Sequence, residues 1–230
     1  MIEAPVAIAG VTGRLGSAIR TACAQHAITV AATSCGAGWT FDAEGIGLVI
    51  DASVAAAVDE TILVCDRADS ALLYCVSNPS ATTLAKLRAL SRRVPVAVAA
   101  NLSPLHWVHS RATALSCDLL AAAGIATRAT VVDRHPPTKR DAPSATARVL
   151  ADSIPEPVTV VSERAGGPVS DHRVVLTATG ETYELSHSVR DLRLAASGAL
   201  CLGAEIRAAA PGIYSADDLY ARIACRERHP

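Results

Sequence analysis

Apolar and polar positions follow one another along this chain in two styles. Over the first hundred residues, short continuous apolar runs at 5–10 (PVAIAG), 28–32 (ITVAA), 47–50 (GLVI), 71–76 (ALLYCV) and 94–100 (VPVAVAA) predict strands. Helical spacing lies between them: through Ala18, Ile19, Ala22 and Cys23, over 54–68, and over 80–92 after the start signal Asn78-Pro79-Ser80. Unbroken apolar strands separated by helices predict a parallel sheet covered on both faces.

After Asn101 the pattern changes. A helix over about 103–123 and a strand over 125–133 precede a polar, proline-rich stretch from Asp133 to Pro143, then a helix over 144–153. The segments 158–165, 171–178 and 181–189 alternate as antiparallel strands do, with Gly166-Gly167-Pro168 and Gly180 as turn signals. An Ala/Leu-rich helix over 193–209 stops at Pro211-Gly212. The expected fold is α/β: a Rossmann-type doubly wound parallel sheet over 1–102 and 192–230, plus an α+β domain with a mixed or antiparallel sheet over 103–191. The final helical segment is expected to return to the first domain.

Composition narrows this further. Half the residues are hydrophobic and 19% charged, which excludes disorder, while aromatics make up 3%, so Ala, Val and Leu must do the packing. A net charge of −1 gives no electrostatic reason to bind nucleic acid or an anionic membrane. A charged partner is therefore expected to be a small anion recognised locally. Seven cysteines, never closer than nine intervening residues, form neither a CxxC pair nor a zinc knuckle and are expected as small core residues in a reducing cytoplasm. No signal peptide or membrane-spanning run is evident, so a soluble cytoplasmic protein is expected.

Gly10-Val11-Thr12-Gly13-Arg14-Leu15-Gly16 falls between the first strand and first helix, where glycines let backbone approach a pyrophosphate on a helix N-terminus. Arg14 adds a cation there. The second strand ends in Ala32-Thr33-Ser34-Cys35, without the acid that grips an adenosine ribose in NAD-selective sites. Ser34 and Thr33 tolerate a 2′-phosphate, so the expected cofactor is NADPH or NADH with a lean to NADPH.

Nineteen of the 21 basic residues are Arg and only Lys86 and Lys139 are Lys. Lys139 lies in the densest polar stretch, Asp133-Arg134-His135-Pro136-Pro137-Thr138-Lys139-Arg140-Asp141-Ala142-Pro143-Ser144. His135 offers a general acid, Lys139 an ammonium for an anion, and Pro143-Ser144 a helix start with exposed N–H groups for a carboxylate. An exposed loop capped by Asp141 or Ser144 accounts for the same residues. His106 and His109, flanking Trp107, have the spacing of a metal pair without an evident third ligand, so no metal site is expected and both belong on a helix surface or domain interface. Asp51, at the end of the third strand, is placed for a ligand or for capping the next helix.

The stretch Asp133-x-His135-x-x-x-Lys139-x-Asp141-Ala142-Pro143-Ser144-x-Thr146-Ala147 resembles the signature of the 4-hydroxy-tetrahydrodipicolinate reductases (dihydrodipicolinate reductases) of the lysine and diaminopimelate pathway. Gly10-x-x-Gly13-Arg14-Leu15-Gly16 is similar to that family's glycine loop, Ile50-Asp51-Ala52-Ser53 to its turn beside the nicotinamide, and Ala100-Asn101-Leu102-Ser103 to its domain junction. Ser162-x-Arg164-x-Gly166, His172, Gly180-Glu181-x-x-Glu184-Leu185-x-His187, Gly198-Ala199-Leu200 and Gly212-Ile213-Tyr214 follow in order. The resemblance implies that His135 and Lys139 flank the substrate and that one supplies a proton as hydride arrives. It implies that Arg134, Ser144, Ala145 and Thr146 line the substrate site, that Ala52, Ser53, Ser77 and Asn101 join the glycine loop around the cofactor, and that the protein is a homotetramer. His172 and His187 become pocket or core residues.

Departures from the family pattern fall on the substrate side. His-His is His135-Pro136, Ser-Gly-Thr is Ser144-Ala145-Thr146, Gly-Thr-Thr-Gly is Cys75-Val76-Ser77-Asn78, and the Arg and Phe after His187 are Leu192 and Ala195. The expected function is reduction of a cyclic imine or unsaturated, carboxylate-bearing ring derived from an amino acid, retuned beyond the ordinary lysine-pathway substrate. The alternatives are that ordinary reductase, a non-redox dehydratase, cyclase or isomerase on the same scaffold, and a non-enzymatic nucleotide-binding or assembly protein.

Overall fold

The computed structural model describes residues 2, 4–36, 38–155, 157–167 and 170–226; Pro168 of the expected turn lies outside the described residues. In chain order the elements are β1 (Val6–Ala9), α1 (Arg14–Gln25), β2 (Val30–Cys35), β3 (Gly38–Phe41), β4 (Leu48–Asp51), α2 (Val58–Ala68, after a 3-10 turn Ala55–Ala57), β5 (Ala71–Tyr74), α3 (Ala81–Leu90) and β6 (Pro95–Val98). They continue as α4 (Pro104–Ala122), β7 (Arg128–His135), α5 (Ala145–Asp152), β8 (Val158–Arg164), β9 (Ser170–Ala178), β10 (Glu181–Val189), α6 (Arg193–Arg207), β11 (Gly212–Ser215) and α7 (Ala216–Arg226). Two compact units result: Met1–Pro104 with Leu192–Pro230, and Leu105–Asp191.

The first unit is a seven-stranded sheet in the order β11-β6-β5-β4-β1-β2-β3. Its pairs are parallel except for β2 with β3. The apolar runs are strands because both faces are covered: β1, β4 and β5 are buried at every position. Strand order reverses between β1 and β4, the place where nucleotide-binding sheets hold ligands beyond their carboxyl ends. Helix α6 packs on α1 and on β5, and β11 and α7 complete this unit. Three elements carry too weak a pattern to be read in advance: β3, an edge strand ending in stacked Trp39 and Phe41, the four-residue β11, and α7 beyond the Pro211-Gly212 stop.

The second unit is a four-stranded sheet in the order β10-β9-β7-β8. The expectation of three antiparallel neighbours over 158–189 is corrected here. β8 pairs in parallel with β7, and β9 pairs antiparallel with β7 and β10, so the Gly166-Gly167 segment joins strands that are not neighbours. Alternation along a strand reports that one face is buried and carries no information about its partner. The core joins Val131, Val174 and Leu176 of the sheet to Cys117, Ala147, Leu150 and Ile154. Of the cysteines, Cys23, Cys65, Cys75 and Cys117 are buried as expected, while Cys35, Cys201 and Cys225 are exposed; all are free.

Candidate functional site

In the first unit the glycine loop closes against the end of β4. Gly10 has φ of 75°, and a Cβ there would come within 2.6 Å of Ser53 Cα; a Cβ on Gly16 would run into the Gly10 carbonyl. The Gly10 and Val11 N–H groups each donate to the Ser34 carbonyl at 3.0 Å, pinning the loop to β2. Gly13 is the N-cap of α1 without a side-chain cap, and the first turn holds no acid. A helix start free of competing anions, approached by backbone that no side chain would fit, suits a pyrophosphate. Thr12, Gly13 and Arg14 are exposed beside it.

The other residues expected at the cofactor take distinct positions. Ser34 is buried, with its hydroxyl oxygen 3.4 Å from the Gly10 N–H, and so braces the loop. Asp51 is buried and caps the turn after it instead of a helix: its Oδ1 accepts from Ser53 N at 3.0 Å and from Ser53 Oγ at 2.5 Å. The Ala52 N–H is held by the Ala9 carbonyl at 3.0 Å. Ser77 is exposed, and Asn101 Oδ1 accepts from Ser103 N at 3.0 Å.

In the second unit the stretch read as a loop from Asp133 begins as strand. β7 runs through His135, so Asp133 and His135, two residues apart, turn the same buried face inward, while Arg134 lies on the other face. Asp133 is fully buried and stands directly opposite His172 on β9 and Ser162 on β8; His172 is in turn opposite His187 on β10. One polar row therefore crosses all four strands.

Asp133 anchors that row. Its Oδ2 accepts from Ser144 N at 3.0 Å, Arg164 Nη2 at 3.1 Å and Ser162 Oγ at 3.2 Å. Burial alone would raise its pKa, but the His172 imidazole, Ser144 and the Arg164 guanidinium around it outweigh burial and hold the carboxyl far below the ordinary range. Its Oδ1 faces His135 Nε2 at 2.9 Å and His172 Nε2 at 3.5 Å. Burial lowers the pKa of His135 despite the pull of Asp133.

His106 and His109, expected on a helix surface or domain interface, are not on a surface: both are buried, with ring centres 6.0 and 6.1 Å from His187. His106 also lies 6.4 Å from His172, which is 5.2 Å from His135, so five buried imidazoles form one cluster. Desolvation, with mutual repulsion, pushes His106 down to about 3 and His109 to about 4. The signal available in the sequence was an i, i+3 pair on a helix passing over alternating strand histidines.

Past β7 the chain turns through Pro136, whose carbonyl accepts from Lys139 N at 3.0 Å. Lys139 Nζ lies 2.8 Å from Asp141 Oδ1, and although partial burial would raise the Asp141 pKa, that ammonium together with the backbone and Arg148 leaves it lowered. Ser144 is the N-cap of α5, with Oγ accepting from Ala147 N at 3.1 Å and standing 3.3 Å from His172 Nε2. Ala145 and Thr146 are half-buried in the first turn. Ala145 is an ordinary first helical residue, so the backbone here demands no glycine.

The comparisons converge on one group of proteins. A family model described as "Dihydrodipicolinate reductase, C-terminus" matches residues 111–220. The 4-hydroxy-tetrahydrodipicolinate reductase of Stenotrophomonas maltophilia (strain K279a) is 29% identical over 233 residues, covering 92% of this chain and 95% of that protein. This chain is similar to the dihydrodipicolinate reductases over nearly its full length.

It is an oxidoreductase whose two units span nearly the full length of these relatives. The 4-hydroxy-tetrahydrodipicolinate reductase of Akkermansia muciniphila is 25% identical, covering 93% of this chain and 96% of that protein. Among solved structures, the dipicolinate-bound dihydrodipicolinate reductase from Paenisporosarcina sp. TG-14 shares the fold, with a TM-score of 0.71 at 15% identity over 93% of this chain and 98% of that one. The matched segment contains Asp133, His135, Lys139, Ser144, His172 and His187, while His106 and His109 precede it. No helix among the described residues is long and apolar enough to cross a membrane.

Proposed function

We propose that this chain is an NAD(P)H-dependent reductase of a cyclic imine or unsaturated, carboxylate-bearing ring derived from an amino acid. The observation that carries this reading is the order His135, Lys139, Ser144: an imidazole on β7, an ammonium paired with Asp141 in the turn and a capped helix start lie within ten residues, with the buried Asp133 reached by both His135 and Ser144 N. The glycine loop with Arg14 holds the pyrophosphate, and the bound nicotinamide supplies a hydride. Lys139, the cation of the pair, delivers the proton from Nζ, with His135 beside it. Ser144, Thr146 and the first N–H groups of α5 hold a carboxylate, and Arg134 adds positive charge to the rim.

NADPH is preferred, because no carboxylate stands at the end of β2, where Ser34 and Cys35 close the strand. The substrate differs from that of the ordinary family member. Pro136, Ala145, Leu192 and Ala195 replace family residues, and two imidazoles from α4 enter the interior behind the polar row. Assembly is a homotetramer through the sheet of the second unit, whose strand β8 leaves Val161 exposed. Light scattering tests the assembly.

The deciding experiment follows oxidation of NADPH and NADH by the purified chain, with 4-hydroxy-tetrahydrodipicolinate and with other carboxylated cyclic imines. The expected result is turnover with reduced cofactor consumed one to one, faster on an imine other than 4-hydroxy-tetrahydrodipicolinate. Replacing Lys139 by Gln is expected to lower kcat by about 100-fold or more. Conversion of substrate without cofactor consumption would assign the non-redox chemistry instead. A highest kcat/KM on 4-hydroxy-tetrahydrodipicolinate would make this an ordinary family member.

A further inference from the structure

We infer that Asp133, His135 and His172 form a binding site for a divalent transition ion of the zinc class. Their donor atoms all lie within 4.8 Å of one another on three buried side chains. A tetrahedral ion with bonds of about 2.0–2.2 Å holds its ligands roughly 3.3 Å apart. Asp133 Oδ1 is 2.9 Å from His135 Nε2 and 3.5 Å from His172 Nε2, so small side-chain shifts suffice.

Two further observations point to a ligand. Although 2.9 Å apart, Asp133 Oδ1 and His135 Nε2 do not meet in hydrogen-bond geometry, and each is a buried polar atom without a hydrogen-bond partner among the described residues. They flank a shared point instead of addressing each other. The second oxygen, Oδ2, is held by Ser144 N, Ser162 Oγ and Arg164 Nη2, which turns Oδ1 toward the imidazoles. Outer-shell hydrogen bonds of this kind orient carboxylate ligands in metal centres.

The donor set selects the ion. Two imidazoles and one carboxylate suit zinc, cobalt, nickel or copper, whereas magnesium and calcium require mainly oxygen. The Arg164 guanidinium, 3.1 Å from Oδ2, repels a cation, so the site is an open three-ligand one and weaker than a closed structural zinc centre. An ion there ties up His135 and reversibly inhibits turnover. Binding itself does not depend on the reductase assignment.

The test uses full-length, tag-free protein stripped with chelator, titrated with Zn2+ by calorimetry and with Co2+ by visible absorption. One ion per chain is expected, with the intense visible bands of low-coordinate Co2+. His172→Asn and His135→Asn are each expected to weaken binding about 100-fold or more, while His109→Asn, in the same cluster but outside the trio, leaves it unchanged. Circular dichroism establishes that each variant is folded, and either of the first two suffices should the other not fold. Absence of stoichiometric binding to the wild type, or binding that survives both substitutions or disappears with His109→Asn, would overturn the proposal. Because binding is read without turnover, an inactive protein that binds cobalt leaves this site standing and removes only the reductase reading.

Discussion

His172 stands directly across the β7/β9 pair from Asp133, with its Nε2 3.5 Å from a carboxylate that has no exposure to solvent. Asp133 also ties β8 through Ser162 and Arg164 and α5 through Ser144 N, so one side chain joins four elements. Asp133→Asn removes the charge and leaves the Arg164 guanidinium without its partner. Breaking a buried ion pair from one side costs about 3–5 kcal/mol. An unfolding free energy in urea lowered by that amount, through a lower midpoint at an unchanged slope, is the expected result.

The five-histidine cluster makes the second unit sensitive to acid. His106 and His109 are held neutral in the folded state, with pKa values pushed down to about 3 and 4 by burial and by neighbouring imidazoles. A histidine in the unfolded chain titrates near 6.5, so the stability each contributes is complete above that pH and is lost as pH falls toward the folded values. At pH 5 the loss is on the order of 2 kcal/mol for each. Melting temperature measured from pH 7.5 to 4.5 should fall steeply below about 6.5. His109→Leu should flatten that dependence.

Much of this was legible beforehand because the relevant signals are local. The apolar runs that became β1, β4 and β5 need no partner to be recognised, and Gly10 with Gly16 shows a close approach wherever it occurs. What escaped was pairing. The alternation of β8 and β9 suggests antiparallel neighbours, yet β7 separates them, since period two describes a face and not a neighbour. The same limit hid the polar row: Ser162, Asp133, His172 and His187 are far apart in sequence and meet only through the register of four strands. The burial of His106 and His109 was not legible, because a helix histidine reveals its environment only when the facing strands are known. Short elements at the edges, β3 and β11, are stabilised by pairing more than by their own sequence.

At the glycine loop the structure separates steric from ordinary glycines. Gly10→Ala places a Cβ at φ 75°, about to collide with the backbone of Ser53, and is expected to cost about 1–3 kcal/mol while weakening NADPH binding measured by nicotinamide fluorescence. Gly36→Ala is the control. A Cβ there meets nothing within 4 Å, and the change is expected to stay within about 0.5 kcal/mol with cofactor affinity intact.

Ser144 joins two roles that substitution can separate. Its hydroxyl caps α5 through Ala147 N and lies 3.3 Å from His172 Nε2, while the proposed mechanism has it hold a substrate carboxylate. Ser144→Ala loses both, at about 1 kcal/mol of stability, or roughly 2–4 °C in melting temperature for a chain of this size. Ser144→Gly loses the same hydroxyl but costs only a few tenths of a kcal/mol as a cap. A hydrogen bond to a charged group is worth about 1.5–3 kcal/mol, so both variants should raise KM by about 10-fold or more. Equal increases in KM with unequal melting temperatures support the carboxylate contact. An increase that follows the loss of stability instead leaves Ser144 as a helix cap and assigns the anion to the N–H groups of α5.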